Sequence, residues 1–277
     1  MAENTVKPGG IADRMPGPDP DEQARQSLER IKHKFIIMSG KGGVGKTSVS
    51  VNLALALANK GYQVGLMDVD LHGPDIPHML GLSGMLTADE SKKMVPIPYS
   101  DHLKIISMES LMPNRDEAII WRGPVKHAAI RQFIGDVTWG DLDFLIIDSP
   151  PGTGDEPLTV AQLIPDAKAV IVTTPQEVAL ADIRKSISFC RNVRMDIFGI
   201  IENMSGFTCP HCGKVVDLFG TGGGEKTAHN HGIPFLGKIA FDPEMVQCGD
   251  TGLAFQKKFT QSPITLAFQE IADKMAG

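Results

Sequence analysis

The chain has 277 residues, 42% of them hydrophobic and 22% charged, with a formal net charge of −6. That size and balance fit one α/β unit of a soluble globular protein, and the acidic excess argues against a general nucleic-acid binder, which needs basic clusters against phosphate. No apolar stretch approaches the roughly 20 residues that span a bilayer, and Met1–Asp21, rich in Pro, Gly and Asp, lacks the apolar core of a secretory signal. A cytoplasmic protein is expected, with neither membrane nor nucleic acid among its partners. Its four cysteines are then expected to be reduced, metal-binding or structural rather than disulfide-paired.

In chain order, residues 1–33 read as a flexible leader ending in a short polar helix at Asp21–Lys32, and residues 34–277 as one domain of alternating strands and helices. The first strand is Phe35–Met38. A glycine-rich stretch leads from it to a helix over Thr47–Asn59, which carries Val51, Leu55 and Ala58 on one face and is closed by Gly61. A second strand, Val64–Met67, runs into Asp68-Val69-Asp70. Further strands are predicted at Leu103–Met108, Phe144–Ile147, Ala169–Thr173, Phe198–Ile201 and Phe235–Ile239. Helices are predicted near Val125–Gly135, Glu156–Leu163, Val178–Val193, Gly223–Asn230 and Leu266–Met275. Short, continuously apolar strands separated by helices imply an α/β fold, a mostly parallel central sheet with helices on both faces. Ligands bind such sheets at the carboxyl ends of the strands.

The segment Gly40-Lys41-Gly42-Gly43-Val44-Gly45-Lys46-Thr47 satisfies G-x-x-x-x-G-K-[ST], between an apolar strand and a helix. Glycines let the backbone wrap a phosphate with its N–H groups inward, and the helix start adds a positive dipole end. Lys46 is placed to reach the β- and γ-phosphates of ATP, and the Thr47 hydroxyl to ligate Mg²⁺, with Ser48 completing the cradle. Asp148 closes the run Phe144-Leu145-Ile146-Ile147, so a buried strand delivers one acid to the metal, the Walker B arrangement. Asp68 and Asp70 lie on one face of an extended segment, and either could orient water or the metal shell. Lys41, beside the first glycine, can reach across a dimer interface to the partner's phosphate.

Ser39-Gly40-Lys41-Gly42-Gly43-Val44-Gly45-Lys46-Thr47 resembles the deviant Walker A of the MinD/ParA/nitrogenase-iron-protein class. Trp121-Arg122-Gly123-Pro124, Trp139-Gly140-Asp141-Leu142-Asp143, Asp148-Ser149-Pro150-Pro151-Gly152-Thr153-Gly154-Asp155, Glu202-Asn203-Met204-Ser205 and Cys209-Pro210-His211-Cys212 resemble the Mrp/ApbC subgroup of iron–sulfur cluster carrier ATPases. The resemblance runs from about Lys34 to the C-terminus. It implies a homodimeric cytosolic ATPase, slow without a partner, that takes a [4Fe–4S] cluster from donors and passes it to apo-proteins. It further implies that Lys41 is the signature lysine, that Asp70 lies in switch I, that Asp148 opens switch II and that Asn203 recognises adenine, an amide offering both donor and acceptor. Eukaryotic relatives with a ferredoxin-like N-terminal cluster carry four cysteines there; residues 1–34 contain none, so no second cluster is expected.

Cys209 and Cys212 form a C-x-x-C tip that offers two thiolates, whereas tetrahedral zinc or a cubane cluster takes about four. A two-fold axis through the tips supplies the pair twice. Thiolate softness suits iron–sulfur or zinc, and the Cys-Pro-His-Cys-Gly run also resembles a zinc-ribbon knuckle. A redox pair is a third reading, though such pairs open a helix and no helix start follows here. The rival class is a spatial-organising ATPase of the MinD/ParA kind with a structural zinc at the cysteine pair. Its basic amphipathic tail or DNA-binding face is not evident in this sequence.

Overall fold

The computed structural model describes residues 20–70, 73–83, 86–90, 93–111 and 123–277. Of the motifs above, Trp121 and Arg122 lie outside the described residues, as does most of the leader.

Helix α1 (Pro20–Leu28) stops short of Lys32 because the sheet takes over: strand β1 (Ile31–Ser39) begins by pairing Ile31 with Leu142. Leu28 and Ile31 are both buried, with only the turn Glu29–Arg30 between them. Helix α2 (Lys46–Asn59) follows the glycine loop. Its predicted apolar face proves too narrow, since Val49 to Ala58 are all buried, as expected of a helix covered on several sides. The chain continues through β2 (Val64–Asp68), α3 (Ile76–Met79), the strand pair β3 (Thr87–Ala88) and β4 (Met94–Val95), β5 (Ile97–Ser100) and β6 (Leu103–Ser107). Then come α4 (Gly123–Gly135), β7 (Leu142–Asp148), α5 (Asp155–Leu163), β8 (Lys168–Thr173), α6 (Glu177–Asn192) and β9 (Ile197–Glu202). A small hairpin, β10 (Phe207–Thr208) and β11 (Val215–Val216), precedes α7 (Gly223–His231), β12 (Phe235–Lys238), α8 (Pro243–Asp250), α9 (Phe255–Lys258) and α10 (Pro263–Ala276).

Among the described residues the central sheet has eight strands in the order β12-β9-β8-β1-β7-β2-β6-β5. All neighbours are parallel except β5, which runs antiparallel to β6 and makes one edge. Alternation along β1 divides the core between the two faces. Phe35 and Ile37 join Leu53, Leu57, Phe144 and Phe268 on one side, whereas Ile36 and Met38 join Ile130, Phe133, Trp139 and Ile147 on the other. Strands β7 and β8 flank β1, so chain direction switches sides of the sheet at the end of β1, where such folds bind ligands. Among the described residues no helix is long and apolar enough to cross a membrane.

Candidate functional site

The glycine loop springs from Ser39 at the end of β1 and closes on Lys46 at the start of α2. Gly43 and Gly45 take φ of 78° and 79°, the left-handed region that side chains disfavour. Two further approaches require glycine. A Cβ on Gly40 would meet the Asp182 carbonyl carbon at 2.4 Å, and one on Gly45 would meet Asn203 Nδ2 at 2.3 Å. Three hydrogen bonds fix the loop: Ser39 Oγ donates to Lys41 O at 2.9 Å, Gly152 N to Ser39 O at 2.8 Å, and Asn203 Nδ2 to Val44 O at 2.9 Å. The loop floors a cleft of about 560 Å³ lined by Lys41, Gly42, Gly43, Gly45, Lys46, Thr47, Ser48, Asp70, Asp75, Pro150, Pro151 and Glu156.

Beneath the loop, β7 brings Asp148 to a point where helix α2 surrounds it with donors. Lys46 Nζ lies 2.7 Å from Oδ2, Thr47 Oγ1 donates to the same oxygen at 2.9 Å, and Ser50 Oγ donates to Oδ1 at 2.5 Å. Both members of the Lys46–Asp148 ion pair are buried, a costly arrangement unless every lone pair is used. Strand pairing sets Asp68 directly beside Asp148. Burial pushes the Asp68 carboxyl well above the usual range, and the neighbouring Asp148 charge adds to the effect. Ser107 Oγ and the Asp70 amide donate to Asp68 at 3.0 and 3.1 Å. Asp70 faces the cleft and accepts from Gly73 N at 3.3 Å. Burial, then Asp70, raises the Asp75 carboxyl.

This donor set fits a magnesium–nucleotide. Thr47 and Asp148 converge as hard oxygens of the kind Mg²⁺ prefers, a lysine ammonium stands beside them, and the positive-φ glycines leave the loop open to a phosphate. The structure therefore gathers Lys41, Lys46, Thr47, Ser48 and Asp70 at one cleft with Asp148 directly behind. Asn203 is different: it is buried against the loop's back, with Oδ1 carrying no partner. Sequence reasoning passed over Ser50, although the signal was available, since it falls one helical turn after Lys46 on the face that meets Asp148.

The cysteine pair caps the β10–β11 hairpin. Cys209 N donates to Lys214 O and Gly213 N to Cys209 O, both at 2.9 Å, and Gly213 turns the chain with φ of 69°. The Cys212 and His211 amides point at the Cys209 sulfur and hold its thiol below the ordinary range. Cys212 is exposed, whereas Cys190 and Cys248 are buried, and burial pushes Cys190 up to about 12. Among the described residues no three His, Cys, Asp or Glu side chains are gathered to hold a metal. The pair thus stands as two accessible thiols in a turn, with no helix opening on it.

A parallel sheet whose central strand runs through a glycine loop into a helix, with a strand-end carboxylate behind that loop, places the chain among the P-loop nucleotide-binding proteins. More narrowly, a profile described as the NUBPL iron-transfer P-loop NTPase matches residues 30–276, and the chain belongs to that family. It is 48% identical over 257 residues to an iron-sulfur cluster carrier protein of Saccharolobus solfataricus, covering 92% of this chain and 86% of that one. It is 45% identical over 262 residues to the cytosolic Fe-S cluster assembly factor CFD1 of Kluyveromyces lactis, covering 90% and 92%. Among solved structures, a nucleotide-binding protein of Archaeoglobus fulgidus in complex with ADP superposes with a TM-score of 0.75 at 36% identity, over 89% of this chain and 95% of that one. MinD of Pyrococcus horikoshii with Mg-ADP, at 22% identity and a TM-score of 0.63 over 88% and 95%, shares the fold. The expected likeness to the MinD/ParA class and the iron–sulfur carriers within it is borne out at the level of family and fold.

Proposed function

We propose that the chain is a cytoplasmic, ATP-hydrolysing iron–sulfur cluster carrier, working as a homodimer that bridges one [4Fe–4S] cluster and passes it to apo-proteins. The observation that carries this reading is the hairpin-tip pair of half-buried Cys209 and exposed Cys212, two thiols short of a cubane site, on a chain whose phosphate loop bears a second lysine at Lys41. A second copy supplies both the missing thiols and a lysine in trans. The names of the relatives at 45–48% identity point the same way.

In this reading the loop amides of Gly40–Gly45 and Lys46 hold the phosphates, and the Lys46 ammonium leaves Asp148 for the β/γ-oxygens. Thr47 and Asp148 hold the Mg²⁺, which when bound neutralises charge developing on the phosphoryl oxygens. Asp70, facing the cleft, orients the attacking water. Asn203 offers its unpartnered Oδ1 to the exocyclic amine of adenine, which asks the side chain to shift from its place behind the loop. A cluster held by two thiolates from each chain at the surface is labile, as a cargo must be. The test is anaerobic incubation of cluster-loaded protein with an apo-[4Fe–4S] enzyme, a chelator being present to intercept free iron. Recovery of the acceptor's activity is expected, faster with Mg–ATP. Acceptor activation no faster than from free iron and sulfide would sink the proposal.

A further inference from the structure

Strand β9 ends on Glu202, a fully buried carboxylate with no part in the chemistry above. Its side chain grips both feet of the segment that carries the cysteine hairpin. On the entering side Ser205 Oγ donates to Oε1 at 2.5 Å. On the leaving side the amides of Gly222 and Gly224 donate to Oε1 and Oε2 at 2.8 and 2.5 Å, where a carboxylate also complements the positive end of helix α7. The two feet touch each other as well, Ser205 Oγ lying 3.2 Å from Thr221 Oγ1. Little slack remains: a Cβ on Gly223 would meet Leu180 Cδ1 at 2.5 Å and Pro175 O at 2.8 Å.

The adjacent residue packs against the back of the phosphate loop. Asn203 donates to Val44 O in the phosphate loop and occupies the space a Gly45 side chain would need. Met204 then turns the chain back with φ of 57°, a conformation that a long side chain adopts only where its surroundings enforce it. Ser205 N, donating to Ile239 O at 2.9 Å, supplies part of that enforcement.

We propose that Glu202 and Asn203 form a rigid relay. A change in the Gly40–Thr47 loop on nucleotide binding moves Asn203, and Glu202, one peptide away, carries that motion to both feet of the hairpin and so to the exposure of Cys209 and Cys212. Glu202 is here a positioning residue. Its significance for cargo release rests on the carrier reading, but the motion itself requires no metal. Coupling of this kind is a free energy shared by two sites, so weakening the link lowers the response at one site without lowering affinity at the other.

The experiment follows alkylation of Cys209 and Cys212 by iodoacetamide in the full, reduced, metal-free chain, sites being resolved by mass spectrometry at fixed pH and at a concentration where sedimentation shows one species. Buried Cys190 and Cys248 report that the fold is intact. With Mg–ADP or a non-hydrolysable ATP analogue, wild type is expected to change its alkylation rate about fivefold or more. Glu202→Gln keeps one acceptor oxygen and sets its amide NH2 against either the Gly222 or the Gly224 N–H. It is expected to lose most of that response while its nucleotide Kd stays within about twofold. Should Glu202→Gln fail to fold, Ser205→Ala, which removes one of the three donors, is expected to at least halve the response. A wild-type rate indifferent to nucleotide overturns the relay, as does a full response in the folded variant. Because no iron is present, a zinc rather than cluster outcome at the cysteines leaves this result unchanged, so the two readings fail separately.

Discussion

Removing the Ser50 hydroxyl tests whether Asp148 is held by the donors around it. Ser50 is fully buried, and its Oγ lies 2.5 Å from Asp148 Oδ1 and 3.1 Å from Lys46 O. A hydroxyl has one proton, and the shorter contact to the charged oxygen takes it. A hydrogen bond to a charged group contributes about 1.5–3 kcal/mol, while alanine in a helix interior returns about 0.5 kcal/mol relative to serine. Ser50→Ala is therefore expected to cost about 1–2.5 kcal/mol, read as a lowered urea midpoint at unchanged m and a Tm lower by roughly 2–4 °C per kcal/mol. Against Asp148→Asn the acceptor is neutral and the same substitution should cost about 1 kcal/mol or less. A loss below about 0.5 kcal/mol in the wild-type background, or an equal loss in both, would refute the reasoning.

Two further outcomes follow from the same site. Asp68 is fully buried and its folded carboxyl is raised, so its protonated form supports a stability that is complete below the ordinary carboxylate range and is lost as pH rises towards the folded value. Asp68→Asn, measured without nucleotide, is then expected to match wild type near pH 4 and to become the more stable protein as pH rises; a gain that shrinks with rising pH contradicts this. Lys41→Ala, if Lys41 serves the partner's phosphate, is expected to abolish ATP turnover while ADP affinity by calorimetry stays within about threefold. Equal loss of turnover and affinity instead assigns the lysine to its own loop.

Features governed by local periodicity were readable in advance. The apolar runs of β1, β2 and β7 and the glycine loop between β1 and α2 need no distant partner to be recognised. The start of β1 was not readable, because Ile31 and Lys32 read as the end of the leader's helix and His33 and Lys34 are polar. They belong in the sheet by virtue of Asp143, Phe144 and Asp166: Lys32 and Lys34 bond the two acids at 2.8 and 2.7 Å, and His33 stacks on Phe144. Those partners lie more than a hundred residues further along the chain. Helix α8 is absent from the predicted elements although a local signal for it stands in the sequence, Asp242 as cap and Pro243 at the first helical position. Glu202 could be quoted in a motif, but its task is set by amides some twenty residues away that no spacing rule connects to it. Asn203 shows the opposite limit, a residue type suited to adenine that the folded chain also sets against its own phosphate loop.

The most direct test of the account is native mass spectrometry of the anaerobically reconstituted chain, with iron, sulfide and zinc counted. One [4Fe–4S] cluster per two chains is expected, reverting to monomer on chelation and absent in Cys209→Ser and Cys212→Ser. Zinc without sulfide, or a full cluster retained on a single chain, would contradict it.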